Sequence, residues 1–285
     1  MERQIYLAYD GSINADWISR YAIQMAATLH RRKIVVIHIR DGSSAYPAIE
    51  RKLTKIAAEC EELGIECQKN VIHPLEKNVS SSLLRVIPSG EHSYCLCGAR
   101  IASRGRGFLA GTVAERLLRS KKFNVMAIRV VSPGLLGCPK TLLFPLAGHP
   151  RGFEAAMPFL RMFSFPLVRL HLLRVMNVNP FHFRYIAAEA VQKKLAEGRK
   201  YLGRIMSEIR EEISEANRPH LHLDRHVVLS DDWAKEILIQ AGRVRASMIL
   251  LGASDRNLPS RFFYGNKFEQ ILRNAPCDVG IYRKL

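Results

Sequence analysis

Two glycine-bearing loops stand 154 residues apart: Gly98-Ala-Arg-Ile-Ala-Ser-Arg-Gly-Arg-Gly-Phe-Leu-Ala-Gly-Thr112 and Gly252-Ala-Ser-Asp-Arg-Asn-Leu-Pro-Ser-Arg-Phe-Phe-Tyr-Gly-Asn266. Each has glycine at its first and fourteenth positions and a small polar residue at its end. The chemistry such a loop can do is anion binding. A glycine closing a parallel strand lets a phosphate-bearing ligand approach the backbone. Gly111-Thr112 opening a helix offers free N–H groups, a hydroxyl and the positive end of the helix dipole. Asp10, which closes the first strand, can accept hydrogen bonds from an adenosine group in the crevice where strand order reverses. Arg104-Gly-Arg-Gly107 adds two guanidinium groups to the first loop. In the second half Ala147 stands where Asp10 does, and Asp255 would set negative charge beside a phosphate. Gly265-Asn266 still starts a helix, because asparagine is a good N-cap.

The elements that must position these loops repeat. At the same offset His92-Ser-Tyr-Cys-Leu-Cys-Gly98 lies over Ala246-Ser-Met-Ile-Leu-Leu-Gly252, and Glu115, Leu118 and Arg119 coincide with Glu269, Leu272 and Arg273. The chain therefore reads as a duplicated domain. Apolar periodicity predicts strands at 4–9, 33–39, 66–72, 92–97 and 124–131, with helices at 14–30, 47–63, 79–88 and from Thr112. The second half predicts strands at 140–146, 167–175, 221–228, 247–251 and 278–283. Such alternation implies a parallel sheet with helices on both faces. Residues 132–139, Ser-Pro-Gly-Leu-Leu-Gly-Cys-Pro, read as the linker. A helix over about 185–216, apolar at Val191, Leu195, Leu202, Ile205, Ile209 and Ile213, reads as a long cover helix with a solvated charged face.

Composition narrows the function classes. The 43 Lys+Arg exceed the 26 Asp+Glu, for a net charge of +17, but the excess is spread over both halves. A positive surface that attracts anions follows, rather than a dedicated nucleic-acid module. No apolar run reaches the roughly 18 residues of a membrane helix, and the amino terminus lacks a leader pattern, so a cytoplasmic protein is expected. The six cysteines have no CxxC spacing, and Cys95 and Cys97 should share the buried face of a strand. His38 reads as a satisfied core residue. No Walker loop, GxSxG elbow or HExxH is present, and Gly105-x-Gly107-x-x-x-Gly111 misses the dinucleotide fingerprint.

The order of strand, Asp10-Gly11-Ser12 and helix, a strand ending His38-Ile39, a strand ending in Gly98, and Gly111-Thr112 before a helix containing Glu115-Arg116 resembles the universal stress protein family. The duplication resembles its tandem members, and the likeness covers nearly the whole chain twice. The family's nucleotide binders carry glycine, two residues, glycine, nine residues, glycine, then serine or threonine. The first half supplies Gly98, Ile101 in place of the second glycine, Gly111 and Thr112; the second supplies Gly252, Asp255, Gly265 and Asn266.

This resemblance implies an α/β fold of two doubly wound parallel five-stranded sheets, of the adenine nucleotide alpha hydrolase-like kind. The domains would span 1–135 and 136–285 and pack as a pseudo-dimer, with Asn124–Val131 meeting Asp278–Arg283. It also implies that Ala8, Tyr9, Asp10 and Ile39 surround the adenosine end of ATP or AMP, and that Cys97, Gly98, Arg100, Gly111, Thr112 and Val113 surround its ribose and phosphates. The second half would be degenerate. Ile101 narrows the phosphate approach, so a packed crevice without nucleotide is the alternative. The implied function is a stress-response binding or regulatory protein acting on an unidentified protein partner, with homodimers of the tandem chain as a further assembly. A slow ATP hydrolase or nucleotidyl transferase on the same crevice, and a charge-driven binder of RNA or acidic membrane, are the other readings.

Overall fold

Runs rich in Ile, Val and Leu alternate with segments whose apolar residues recur every three or four positions. In the computed structural model these become ten strands and eight α-helices among the described residues. The structure describes residues 2–42, 46–74, 78–100, 112–149, 153–163, 167–179, 187–214, 221–253 and 265–285. The first half comprises β1 (Gln4–Ala8), α1 (Ile13–Ala27), β2 (Lys33–Ile39), α2 (Tyr46–Glu62), β3 (Glu66–Ile72), α3 (Val79–Val86), β4 (Gly90–Gly98), α4 (Val113–Arg119) and β5 (Phe123–Arg129). The second comprises β6 (Thr141–Pro145), α5 (Met157–Phe163), β7 (Arg169–Asn177), α6 (Ala188–Ser214), β8 (His222–Ser230), α7 (Trp233–Arg243), β9 (Met248–Gly252), α8 (Gly265–Asn274) and β10 (Asp278–Arg283).

The two anticipated five-stranded units are joined edge to edge in a single ten-stranded sheet, ordered β3-β2-β1-β4-β5-β10-β9-β6-β7-β8. The junction is the antiparallel pair β5–β10, with Val279 opposite Arg129 and Arg283 opposite Val125. Every other pairing is parallel. The expected meeting of the last strands is thus the seam of the molecule, and it covers an edge that each half would otherwise expose. Side chains alternate across the sheet. Ile5, Leu7, Met126, Leu142 and Leu172 face the layer formed by α1, α2, α5 and α6. Ile37, Cys95, Cys97, Ala127, Val279 and Ile281 face α3, α4, α7 and α8.

Two side chains at the strand starts clasp the seam. Asp278 is fully buried, and its Oδ1 accepts from the N–H groups of Val131 and Ser132, both at 2.7 Å. Asn124, its equivalent at the 154-residue offset, accepts from Leu285 N–H at 3.0 Å through Oδ1 and donates from Nδ2 to Glu91 O at 2.6 Å. Val131 and Leu285 are themselves related by that offset. The linker is not extended: Pro133–Leu135 make one 3-10 turn, followed by Leu136 and Gly137 at φ 50 and 79. A β-carbon on Gly137 would stand 2.6 Å from the Tyr21 backbone nitrogen, so this turn lies directly on α1.

The long helix buries Leu202, Ile205 and Ile209 against the sheet, whereas Val191 and Leu195 are half-buried. Among the described side chains the apolar stripe is fully buried at the middle of α6 and only partly toward its start; that of Ile213 lies outside them.

Candidate functional site

Strands β1 and β4 are neighbours, yet the chain leaves β1 toward β2 and β3 on one side and reaches β4 and β5 on the other. Open α/β sheets leave a ligand crevice at the carboxyl ends of strands where their order reverses in this way. A cavity of about 790 Å³ lies at this point, within the roughly 300–1,000 Å³ of small-molecule sites. Ala8, Tyr9, Asp10, Ile39, Cys97, Gly98, Arg100, Thr112 and Val113 all line it. Gly111, Ile101, Arg104, Arg106 and Asp255 lie outside the described residues.

The turn after β1 is held from several sides. Gly11 takes φ 77, a left-handed conformation that suits glycine. Asp10 Oδ1 accepts from Ser12 N–H at 2.9 Å, and Ser12 Oγ caps α1 by accepting from Ala15 N–H at 3.2 Å. The other oxygen, Asp10 Oδ2, accepts from Arg100 Nη2 at 2.7 Å. Both side chains of this pair are at least half exposed, so it is a weak latch across the crevice mouth. Tyr9 is buried and its hydroxyl donates to Asp16, whose second oxygen receives Lys52 Nζ at 2.6 Å. Burial, with the Asp16 hydrogen bond and charge, raises the Tyr9 pKa far above its usual value. Tyr9 therefore stays a neutral phenol whose hydroxyl is committed to Asp16.

His38 is buried, with Nδ1 2.9 Å from the Tyr9 carbonyl oxygen. The expected core role holds for Nδ1, but the residue also lines the cavity. Cys97 is buried and its thiol is pushed up to about 12 by desolvation, which makes it wall and not nucleophile. Thr112 caps α4, its Oγ1 accepting from Glu115 N–H at 3.2 Å. With only seven residues in α4, the helix field is small and the Thr112 oxygen is already engaged.

The residue that sequence reasoning missed is Arg129, the last of β5. It lines the cavity, and its Nη1 is buried without a hydrogen-bond partner among the described residues. Desolvation lowers its pKa, and the charge of Asp278 opposes that shift. The available signal was the offset itself, which pairs Arg129 with Arg283.

In the second half larger side chains stand at the corresponding described positions. The backbone bond from Tyr9 N–H to Ile37 O at 2.9 Å has its counterpart from Leu146 N–H to Leu173 O at 2.8 Å. Arg174 then occupies the place of His38, donating from Nη1 to the Leu146 carbonyl at 3.2 Å. A β-carbon on Gly148 would collide with its guanidinium. Tyr201 from α6 stands 5.8 Å from that group, and its hydroxyl donates to His149 O at 2.9 Å. Tyr282 takes the position of Ile128, and a β-carbon on Gly252 would stand 2.9 Å from its hydroxyl oxygen.

No helix among the described residues is long and apolar enough to cross a membrane. Among the same residues, no three His, Cys, Asp or Glu side chains form a group that could hold a metal ion.

Comparison with known proteins bears on this architecture. Among solved structures, a universal stress protein from Archaeoglobus fulgidus DSM 4304 is similar over 98% of this chain and 96% of its own, with a TM-score of 0.57 and 17% identity. The cytoplasmic domain of a prokaryotic cation chloride cotransporter is similar over 99% of this chain and 95% of its own, with a TM-score of 0.60 and 9% identity. At these identities the likeness is one of fold. No curated protein matches the chain in sequence. The model of the universal stress protein family matches residues 141–283, the half whose loop keeps fewer of the nucleotide-binding positions. The chain belongs to the universal stress protein family.

Proposed function

We propose that this chain is a cytoplasmic regulatory binding protein of the stress response, built of domains 1–135 and 136–285, whose first-half crevice takes an adenine nucleotide, ATP or AMP. The observation that carries this reading is the convergence of Ala8, Asp10, Ile39, Gly98, Arg100 and Thr112, separated in sequence, on one cavity at the strand-order reversal. Ala8, Ile37, Ile39, Val79 and Leu83 offer an apolar wall suited to a base, while Arg100 and Arg129 offer cations suited to phosphate. The second half serves as architecture, because the larger Arg174 and Tyr282 stand at the equivalent positions.

Native mass spectrometry of the purified chain, followed by calorimetric titration with ATP and AMP, tests this reading. One nucleotide per chain is the expected result. A protein that carries none and takes up neither at millimolar concentration would leave the crevice without this function.

A further inference from the structure

A buried guanidinium nitrogen needs an acceptor, and Arg129, itself half-buried, carries one such nitrogen. Its Nη1 is buried without a hydrogen-bond partner among the described residues. Asp278 lends Arg129 a compensating charge, but that carboxylate is already engaged. One of its oxygens holds Val131 N–H and Ser132 N–H at 2.7 Å, and the other holds the Tyr21 hydroxyl at 2.5 Å. Asp10, on the far side of the cavity, is likewise occupied by Ser12 N–H at 2.9 Å and Arg100 at 2.7 Å. Neither carboxylate supplies what Arg129 lacks. Arg129 extends from the carboxyl end of β5 and lines the same cavity as Gly98, Thr112 and Val113. A planar guanidinium fits the oxygens of a phosphate in paired hydrogen bonds.

We propose that Arg129 is the anion receptor of the crevice, binding a phosphate group of the ligand and setting its preference for nucleotide over nucleoside. The assignment of an adenosine portion rests on the function proposed above; the phosphate contact does not. Arg129 thereby takes over a task for which the short helix α4, with its Thr112 oxygen engaged, is poorly equipped. The guanidinium is cationic at physiological pH without help from a neighbour.

The test titrates the full chain with ATP, adenosine and inorganic tripolyphosphate, comparing wild type with Arg129→Gln and Arg129→Lys. Arg129→Gln should weaken ATP at least tenfold, abolish tripolyphosphate binding and leave the adenosine signal unchanged. Arg129→Lys keeps the charge but loses the fork, and should weaken ATP severalfold, so it decides the matter if the glutamine variant does not fold. Wild-type affinity for ATP in either folded variant overturns the role of Arg129 and leaves the nucleotide reading standing. Tripolyphosphate binding that is lost in Arg129→Gln, from a wild type that ignores ATP, sustains the anion receptor and overturns the nucleotide reading. A wild type that binds neither compound overturns both.

Discussion

The Tyr21 hydroxyl donates to Asp278 Oδ2 at 2.5 Å, joining residues 257 positions apart. Tyr21 belongs to the third turn of α1 and Asp278 opens the last strand, so one hydrogen bond ties the first helix to the last strand. The same carboxylate holds the backbone just beyond β5. Burial and the negative charge of Asp278 raise the Tyr21 pKa far above its usual value, which keeps the donor protonated.

Asp278→Ala removes acceptors from three donors at once, and is expected to lower the unfolding free energy by about 3 kcal/mol or more. Tyr21→Phe removes one donor and should cost about 1.5–3 kcal/mol, the range for hydrogen bonds to charged groups. Denaturant unfolding of the two variants measures both. Equal, negligible losses would show that the seam is held by strand pairing alone.

Gly137→Ala should be destabilising by about 1–3 kcal/mol, because its φ of 79 and its contact with the α1 backbone both oppose a side chain. Gly134→Ala in the same linker meets nothing within 4 Å and is expected to stay within about 0.5 kcal/mol of wild type. The difference between their denaturation midpoints is the measurement.

Acid should loosen the second half before the first. His171 Nδ1 lies 2.9 Å from His226 Nε2, and the His171 Nε2 is buried without a partner among the described residues. Desolvation lowers both pKa values; His226 and Arg169 lower that of His171 further, Arg243 lowers that of His226, and Asp224 opposes the shift in each. The unfolded chain, with ordinary histidines near 6.5, then binds more protons than the folded one as pH falls through about 6.5. Stability conferred by the neutral pair is complete above that pH and declines below it. Urea midpoints at about pH 7.5 and 5.5 should separate less in His171→Leu than in wild type.

Nucleotide should bind with a stoichiometry of one per chain. Asp10→Ala is expected to weaken it tenfold or more, a loss of about 1.4 kcal/mol, whereas Tyr282→Phe in the second half should leave affinity unchanged. Calorimetry on the two variants distinguishes the halves. A nucleotide affinity that responds to Tyr282 and not to Asp10 would move the site to the second half.

Local pattern carried much of this structure. Runs such as Lys33–Ile39 and Asp278–Arg283 form strands at the predicted places, whereas the Thr112 hydroxyl, read in sequence as part of an anion cradle, caps α4. Ala8, Tyr9, Cys97 and Gly98 were named through the family resemblance, and they line one cavity. Arg129 was not singled out, since it stands inside the strand predicted over 124–131, and only the tertiary fold brings it to the cavity. Arg174 and Tyr282 escaped notice for a similar reason. Their effect on Gly148 and Gly252 depends on register between strands, which no local periodicity encodes. The Cys60 and Cys67 thiols, seven positions apart, also share a hydrogen bond that lowers the Cys67 pKa and raises that of Cys60. That contact arises from packing α2 on β3.

The seam between β5 and β10 has a consequence for timing. During synthesis β5 emerges almost 150 residues before its partner, an interval of about 8–30 s at ~5–20 residues/s. Throughout that interval Phe123–Arg129 presents an apolar strand edge with nothing yet made to cover it. The first half must therefore wait, or be sheltered, until the ribosome has delivered Asp278–Arg283. A nascent chain interrupted before that point offers its edge to whichever strand arrives first, including β5 of a neighbouring nascent chain on the same message.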